Sequence, residues 1–528
     1  MLDNFLSLQW FNDRKPYQNN VKYDLEYLKI FRHLFYGLGS VLKKTNGTMG
    51  PNEMRELAYI VTAYFEDRVN KIGFWETVLA EHQTLYGKRI PFYTTEELAE
   101  WDDCEDIHPA DIHYLTFVYC AFLHRTKQIK EMPPEMFFIG FRDLAFDYLD
   151  QIEEVRTTDF YKEMLVADGS ATEFKNILQW FAYDSYLFGY ELKYYWLAQG
   201  QQLRQQEPNI DKRTLEINMQ IVMNDIMHKR NTSLSGLNPV DVLAKTLNWP
   251  GQKRQDTMDF KFYVEGVFEI DETDPKYYYF KHNLMNDVFP VLKTSIPNLK
   301  PGSLARARYY RTVLQRWDGA YILAAPLAAE MDEDHIFFWN KEFAYDYSVH
   351  NKAFRERQKE ALKAEADEAF TFFGVSQKTF RNAEEMINAL NTFYKWQFDK
   401  AVREGRADAG KYNAIEARTH HIGAETDLCI HIAPDDGMSI TSNHYATLNR
   451  LNELRSVYGL ANDAVLMVPI PISAWQNLWE SFKPVPATND SWCINTMDDL
   501  MALFRIYRPK DFSALRKPVI TLLDLSYR

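Results

Sequence analysis

The sequence predicts an α+β protein that is mainly helical. Three observations carry this. Helical hydrophobic spacing with cap signals runs over the first 250 residues, a switch to period-two alternation follows residue 260, and mixed patterns return beyond residue 346. At 528 residues the chain exceeds one ordinary core. The expected organisation is a helical domain over 1–250, a β-rich segment over 251–345 and an α+β or α/β C-terminal domain over 346–528. The first boundary is placed in NWPGQKRQD, residues 248–256.

Within the helical part, Phe137, Phe141, Leu144, Tyr148 and Ile152 recur at helical spacing behind Pro134. Thr94 with Glu97 and Ser170 with Glu173 spell capping boxes, and Asn238-Pro239 reads as another helix start. Nine aromatics between 180 and 196 would circle a whole helix and make it central to a bundle. From Phe260 to Ile270 the even positions are apolar or Gly, which predicts a half-buried strand. RYYRTVLQRW and AYILAAPLA flank Asp318-Gly319, a two-residue hairpin signal because both turn residues tolerate positive φ. Beyond these come helical patterns over 351–373 and 383–406, a strand over 425–432, a Pro-Asp-Asp-Gly turn, a helix from Asn443 and a second strand in AVLMVPIP.

Composition is that of a folded protein, 46% hydrophobic and 25% charged, with aromatics at 15%. Those rings could stack on sugars, although core packing accounts for them more cheaply. A net charge of −14 argues against a generic nucleic-acid coat or a binder of anionic membranes. The four cysteines form no C-x-x-C pair, which suits free thiols in a reducing interior. No secretory signal and no apolar run of membrane-spanning length is read, so the expectation is a soluble, cytoplasmic protein. Phosphate-loop, dinucleotide, nucleophile-elbow and H-E-x-x-H motifs are absent.

Two stretches carry candidate sites. Residues 291–317 hold six basic side chains and no acid, with aromatics interleaved. Arg306, Arg308, Arg311 and Arg316, with Tyr310 and Trp317, form a candidate surface for an anionic ligand, an acidic protein surface or, with less support, nucleic acid. On a strand, Arg311 would face away from the other three arginines. The plain alternative is a solvated run, or one paired with the acids between 95 and 111.

The second stretch is EARTHHIGAETDLCIHIAPDDGM, residues 416–438. Leu428, Ile430 and Ile432 alternate with Asp427, Cys429 and His431, so one strand face is apolar and the other bears acid, thiol and imidazole. Cys429 and His431 lie two apart, near enough to share an ion, with His444 at the next helix start as a third ligand and His420 or His421 as others. Zn²⁺ would suit such ligands, although no cofactor is assigned. Without a metal, His431 would serve as a base beside Asp427, Asp435 and Asp436. The plain alternative is a half-solvated strand ending in ordinary turn chemistry. The leading expectation is a binding or scaffold protein acting through 291–317. The alternative is a hydrolase, metal-dependent in one version, centred on Cys429, His431 and His444.

Overall fold

The computed structural model describes residues 5–17, 21–99, 106–153, 155–166, 169–261, 263–282, 287–296, 310–324, 352–407, 426–435, 437–442, 444–454, 456–463, 479, 492–494 and 496–512. Two small sheets accompany many helices, so the mainly helical α+β class holds. Contacts divide the chain into Met1–His350 with Asp498–Arg528 and, separately, Asn351–Met497.

The first unit is built on long helices whose ends follow the sequence signals. Ser170 and Glu173 exchange both bonds of a capping box at the start of Ala171–Tyr183, and Thr94 and Glu97 do the same before Thr95–Ala99. Asn238 caps Pro239–Thr246, with Pro239 at the first helical position. Pro109–Arg125 is buried along most of its length and forms a central post. The aromatic run 180–196 is not one helix. Ala171–Tyr183 stops, and Gly189–Gln206 starts after a corner at 184–188. The closure leaves no room beside Gly189, where a Cβ would lie 2.8 Å from the Tyr183 carbonyl oxygen.

Five strands, β1 (Tyr263–Thr273), β2 (Tyr277–His282), β3 (Val288–Leu292), β4 (Tyr310–Trp317) and β5 (Ala320–Leu323), close a barrel in the order β1-β2-β3-β5-β4. Closure removes the exposed edges that an isolated meander would leave. The even positions Val264 and Phe268 point inward with Phe280, Phe289, Val291 and Leu314. The Asp318-Gly319 turn has φ of 52° and 68°, the conformation that joins twisted strands in two residues. The barrel belongs to the same unit as the helices, so the break expected at 248–256 is not where the chain divides. Trp249 is buried there and its indole N–H donates to the Met164 carbonyl, while Phe260 stacks edge-on against Phe174. The final helix, Met497–Tyr507, also returns to this unit. Buried Asp499 accepts from the Phe92 amide at 2.9 Å and pairs with Lys88.

The second unit sets a three-stranded antiparallel sheet in the order β6-β7-β8: β6 is Gln377–Asn382, β7 Thr426–Ala433 and β8 Gly437–Thr441. Leu428, Ile430, Ile432 and Met438 on one face pack with Phe380, Met386 and Phe393, closed by Lys352–Phe373 and Ala383–Arg403. At Gly437, φ is 67°, a left-handed backbone that favours glycine. The strand expected in AVLMVPIP lies outside the described residues.

Candidate metal centre

Strand alternation sends Cys429 and His431 to the sheet face opposite the apolar core. Register then determines their neighbours. Cys429 lies opposite Thr379 and Thr441, and His431 opposite Gln377 and Ser439. The middle of this polar face is buried, with Gln377, Thr379 and Ser439 partly exposed around it. Cys429 is fully buried, His431 is 1% exposed and Thr441 is 5% exposed, with the helix His444–Glu453 packed against β7. That helix begins with His444, itself 2% exposed, whose ring centroid is 5.4 Å from that of His431.

One ligand atom each from Cys429, His431 and His444 lies within 4.8 Å of the others. A tetrahedral zinc ion would set such atoms roughly 3.3–3.6 Å apart, so the widest pair would close by about 1 Å. The set is mixed soft and borderline, one sulfur and two imidazoles, which suits zinc or another late first-row ion better than calcium or magnesium.

The surrounding bonds orient the rings. His431 Nε2 meets Thr441 Oγ1 at 3.0 Å. His444 Nε2 meets the Gln377 amide nitrogen at 2.7 Å, and His444 Nδ1 is buried without a hydrogen-bond partner. With the Gln377 amide donating to Nε2, the ring proton sits on Nδ1 with nothing to receive it, at a cost on the order of 1–3 kcal/mol. A metal ligand in this environment is usually steered through its other nitrogen by such an outer partner. Burial pushes the Cys429 thiol up to about 12 and the His431 imidazole down to about 4, the latter helped by His444. Burial also lowers His444, against the pull of the Asp427 carboxylate.

Asp427 takes a left-handed φ of 61°, which Asp tolerates better than most residues. Its Oδ2 accepts from the amides of Tyr445 (2.5 Å) and Ala446 (3.2 Å), so it caps the helix that carries His444. Its Oδ1 is buried without a partner. Asp435 is exposed in the turn after β7, and Asp436, His420 and His421 lie outside the described residues. Sequence reasoning missed Gln377 and Thr441. The alternation in QKTFRN and GMSIT would have shown their faces, but not that the two strands flank β7.

Of the basic-aromatic set, the side chains of Arg316 and Trp317 are described. Arg306 and Arg308 lie outside the described residues, and Tyr310 and Arg311 are described only as backbone on β4, opposite Phe268 and Val267. Arg316 is exposed and 3.7 Å from Asp259. Trp317, expected to offer a stacking face, is only 5% exposed. Its ring lies 5.9 Å from Phe174 and 5.8 Å from Phe260, because the barrel docks on the helices there.

The fold and this cluster thus define a mainly helical two-unit protein with a buried Cys-His-His group in its smaller unit. The chain belongs to the family described as protein of unknown function DUF3843, whose model matches residues 8–274. No curated protein matches the chain, and no solved structure matches it either. The matched segment ends just past β1, so it contains the helices up to the barrel and the first barrel strand, and none of the three candidate ligands. No helix among the described residues is long and apolar enough to cross a membrane.

Proposed function

We propose that this is a metal-binding protein whose smaller unit holds one zinc-like ion through Cys429, His431 and His444. The single observation that carries the reading is the convergence of the three ligand atoms within 4.8 Å at a buried site. The partnerless Nδ1 of His444 supports it, since an ion replacing that proton removes an unsatisfied polar group. Bound there, the ion fastens the His444–Glu453 helix to β7 and stabilises the unit by coupling binding to folding. Free thiols at Cys120, Cys429 and Cys493 suit a cytoplasmic setting.

A second reading, a hydrolase, rests on the ligand count. Three protein ligands leave a fourth position that water can take, and Asp427 Oδ1, buried without a partner, is available to orient it. Anion binding through 291–317 has less support, since Trp317 is packed away and Arg316 has Asp259 beside it.

The test is elemental analysis of purified full-length protein together with Co²⁺ titration. About one ion per chain is expected, with a thiolate-to-cobalt charge-transfer band that Cys429→Ser abolishes. His444→Ala should lower metal affinity by at least about tenfold. Protein that carries no metal and gives no cobalt spectrum would overturn the reading.

A further inference from the structure

The aromatic run that breaks into a corner builds a second site, in the helical unit. Ala171–Tyr183, Gly189–Gln206 and Lys212–Lys229 enclose a surface cleft of about 410 Å³, within the range of small-ligand sites. Trp180 and Trp196 form its half-exposed apolar walls. Each indole N–H donates to a main-chain carbonyl, Trp180 to Arg14 at 2.8 Å and Trp196 to Met219 at 3.1 Å. Both rings are therefore held in one orientation before any ligand arrives, which lowers the cost of ordering them. Tyr183 lies 6.1 Å from Trp196, centroid to centroid, and donates its hydroxyl proton to the Met223 carbonyl.

The rim is polar but carries no net charge. Asn176 and Gln179 present amides that both donate and accept. Asp184 accepts from Lys193 at 2.8 Å, and this pair cancels its own charge. An anion would find no uncompensated cation here, and a wholly apolar ligand would cover the rim's donors and acceptors without replacing their bonds. Hydroxyl groups, which donate and accept, match this rim, and C–H faces match the electron-rich indole surface.

We propose that this cleft binds a short neutral oligosaccharide. One ring lies against the face of Trp196, and its hydroxyls meet Asn176, Asp184 and Lys193. The cleft lies within residues 8–274, the segment that the family model matches, and none of its lining residues belongs to the Cys429, His431 and His444 group.

The full chain would be titrated with maltotriose, cellotriose, chitotriose and adenosine, followed by calorimetry and tryptophan fluorescence. Saturable binding of at least one trisaccharide is expected, insensitive to salt because no charge is neutralised. Trp196→Ala should weaken it by at least about tenfold. Asn176→Ala, at an exposed helix position where folding is not at stake, should weaken it by about threefold to tenfold. No saturable binding of any trisaccharide up to about 10 mM overturns the proposal, because a pre-formed stacking site should exceed that affinity. So does binding that survives both substitutions, and so does adenosine binding alone, which would mark a nucleobase site.

Discussion

His82 in the helical unit and His444 in the smaller unit are both buried, and burial pushes the pKa of each imidazole down, that of His82 to about 4. Their surroundings differ. His82 Nδ1 meets the Arg89 carbonyl at 2.9 Å and Nε2 meets Ser235 Oγ at 2.8 Å, so both nitrogens are matched by fixed groups. His444 has a partner at Nε2 alone, and a thiol and a second imidazole lie within reach. Desolvation and a lowered pKa therefore do not separate a core histidine from a ligand. What sets His444 apart is its unpartnered Nδ1 beside a thiol and a second imidazole.

Three experiments would break or sharpen that contrast. The largest effect belongs to chelation. If the ion is held at about a thousandfold above its Kd, stripping it should cost the smaller unit roughly 4 kcal/mol. Hydrogen exchange should then accelerate over β6, β7 and β8 and stay unchanged around His82. Equal acceleration in Phe74–Tyr86 would erase the distinction. Next comes His82→Ala, which removes two hydrogen bonds and leaves a void in the core. About 3 kcal/mol of stability should be lost in denaturant titration, with metal content unaltered.

The smallest effect concerns Glu365, whose carboxyl burial pushes up to about 7 and whose Oε1 lacks a partner. A raised folded-state pKa means that its stabilising share is fully present below the unfolded value of about 4.3 and is lost as pH rises through 7. Glu365→Gln should therefore be close to neutral near pH 4 and stabilise the smaller unit by about 1–2 kcal/mol at pH 8, a figure discounted for partial exposure. A pH-independent change in the thermal midpoint would reject the titration of Glu365 as the cause.

What could be read in advance was what depends on neighbours along the chain. The capping boxes at Thr94 and Ser170 and the Asp318-Gly319 hairpin rest on two to four residues each. The proximity of Cys429 to His431 follows from strand period alone, and His444 enters because a helix starts just past the next turn. Gln377 was out of reach for a different reason. β6 pairs with β7 across about fifty residues, and nothing local announces that partnership. Nor could spacing reveal the break in the aromatic run, since corner and helix there use the same residue types. Contacts do not divide the chain near 250, where Trp249 and Phe260 are buried against helical residues rather than exposed in a linker.

The bond from Asp499 to the Phe92 amide joins residues 407 positions apart, with the whole smaller unit between them in the chain. A ribosome makes the chain in one direction, so the helical unit cannot acquire this last clasp until Asn351–Met497 has been synthesised. During that interval the Phe92 amide and Lys88 lack the Asp499 carboxylate, while the Tyr93 carbonyl beside Lys88 is already made.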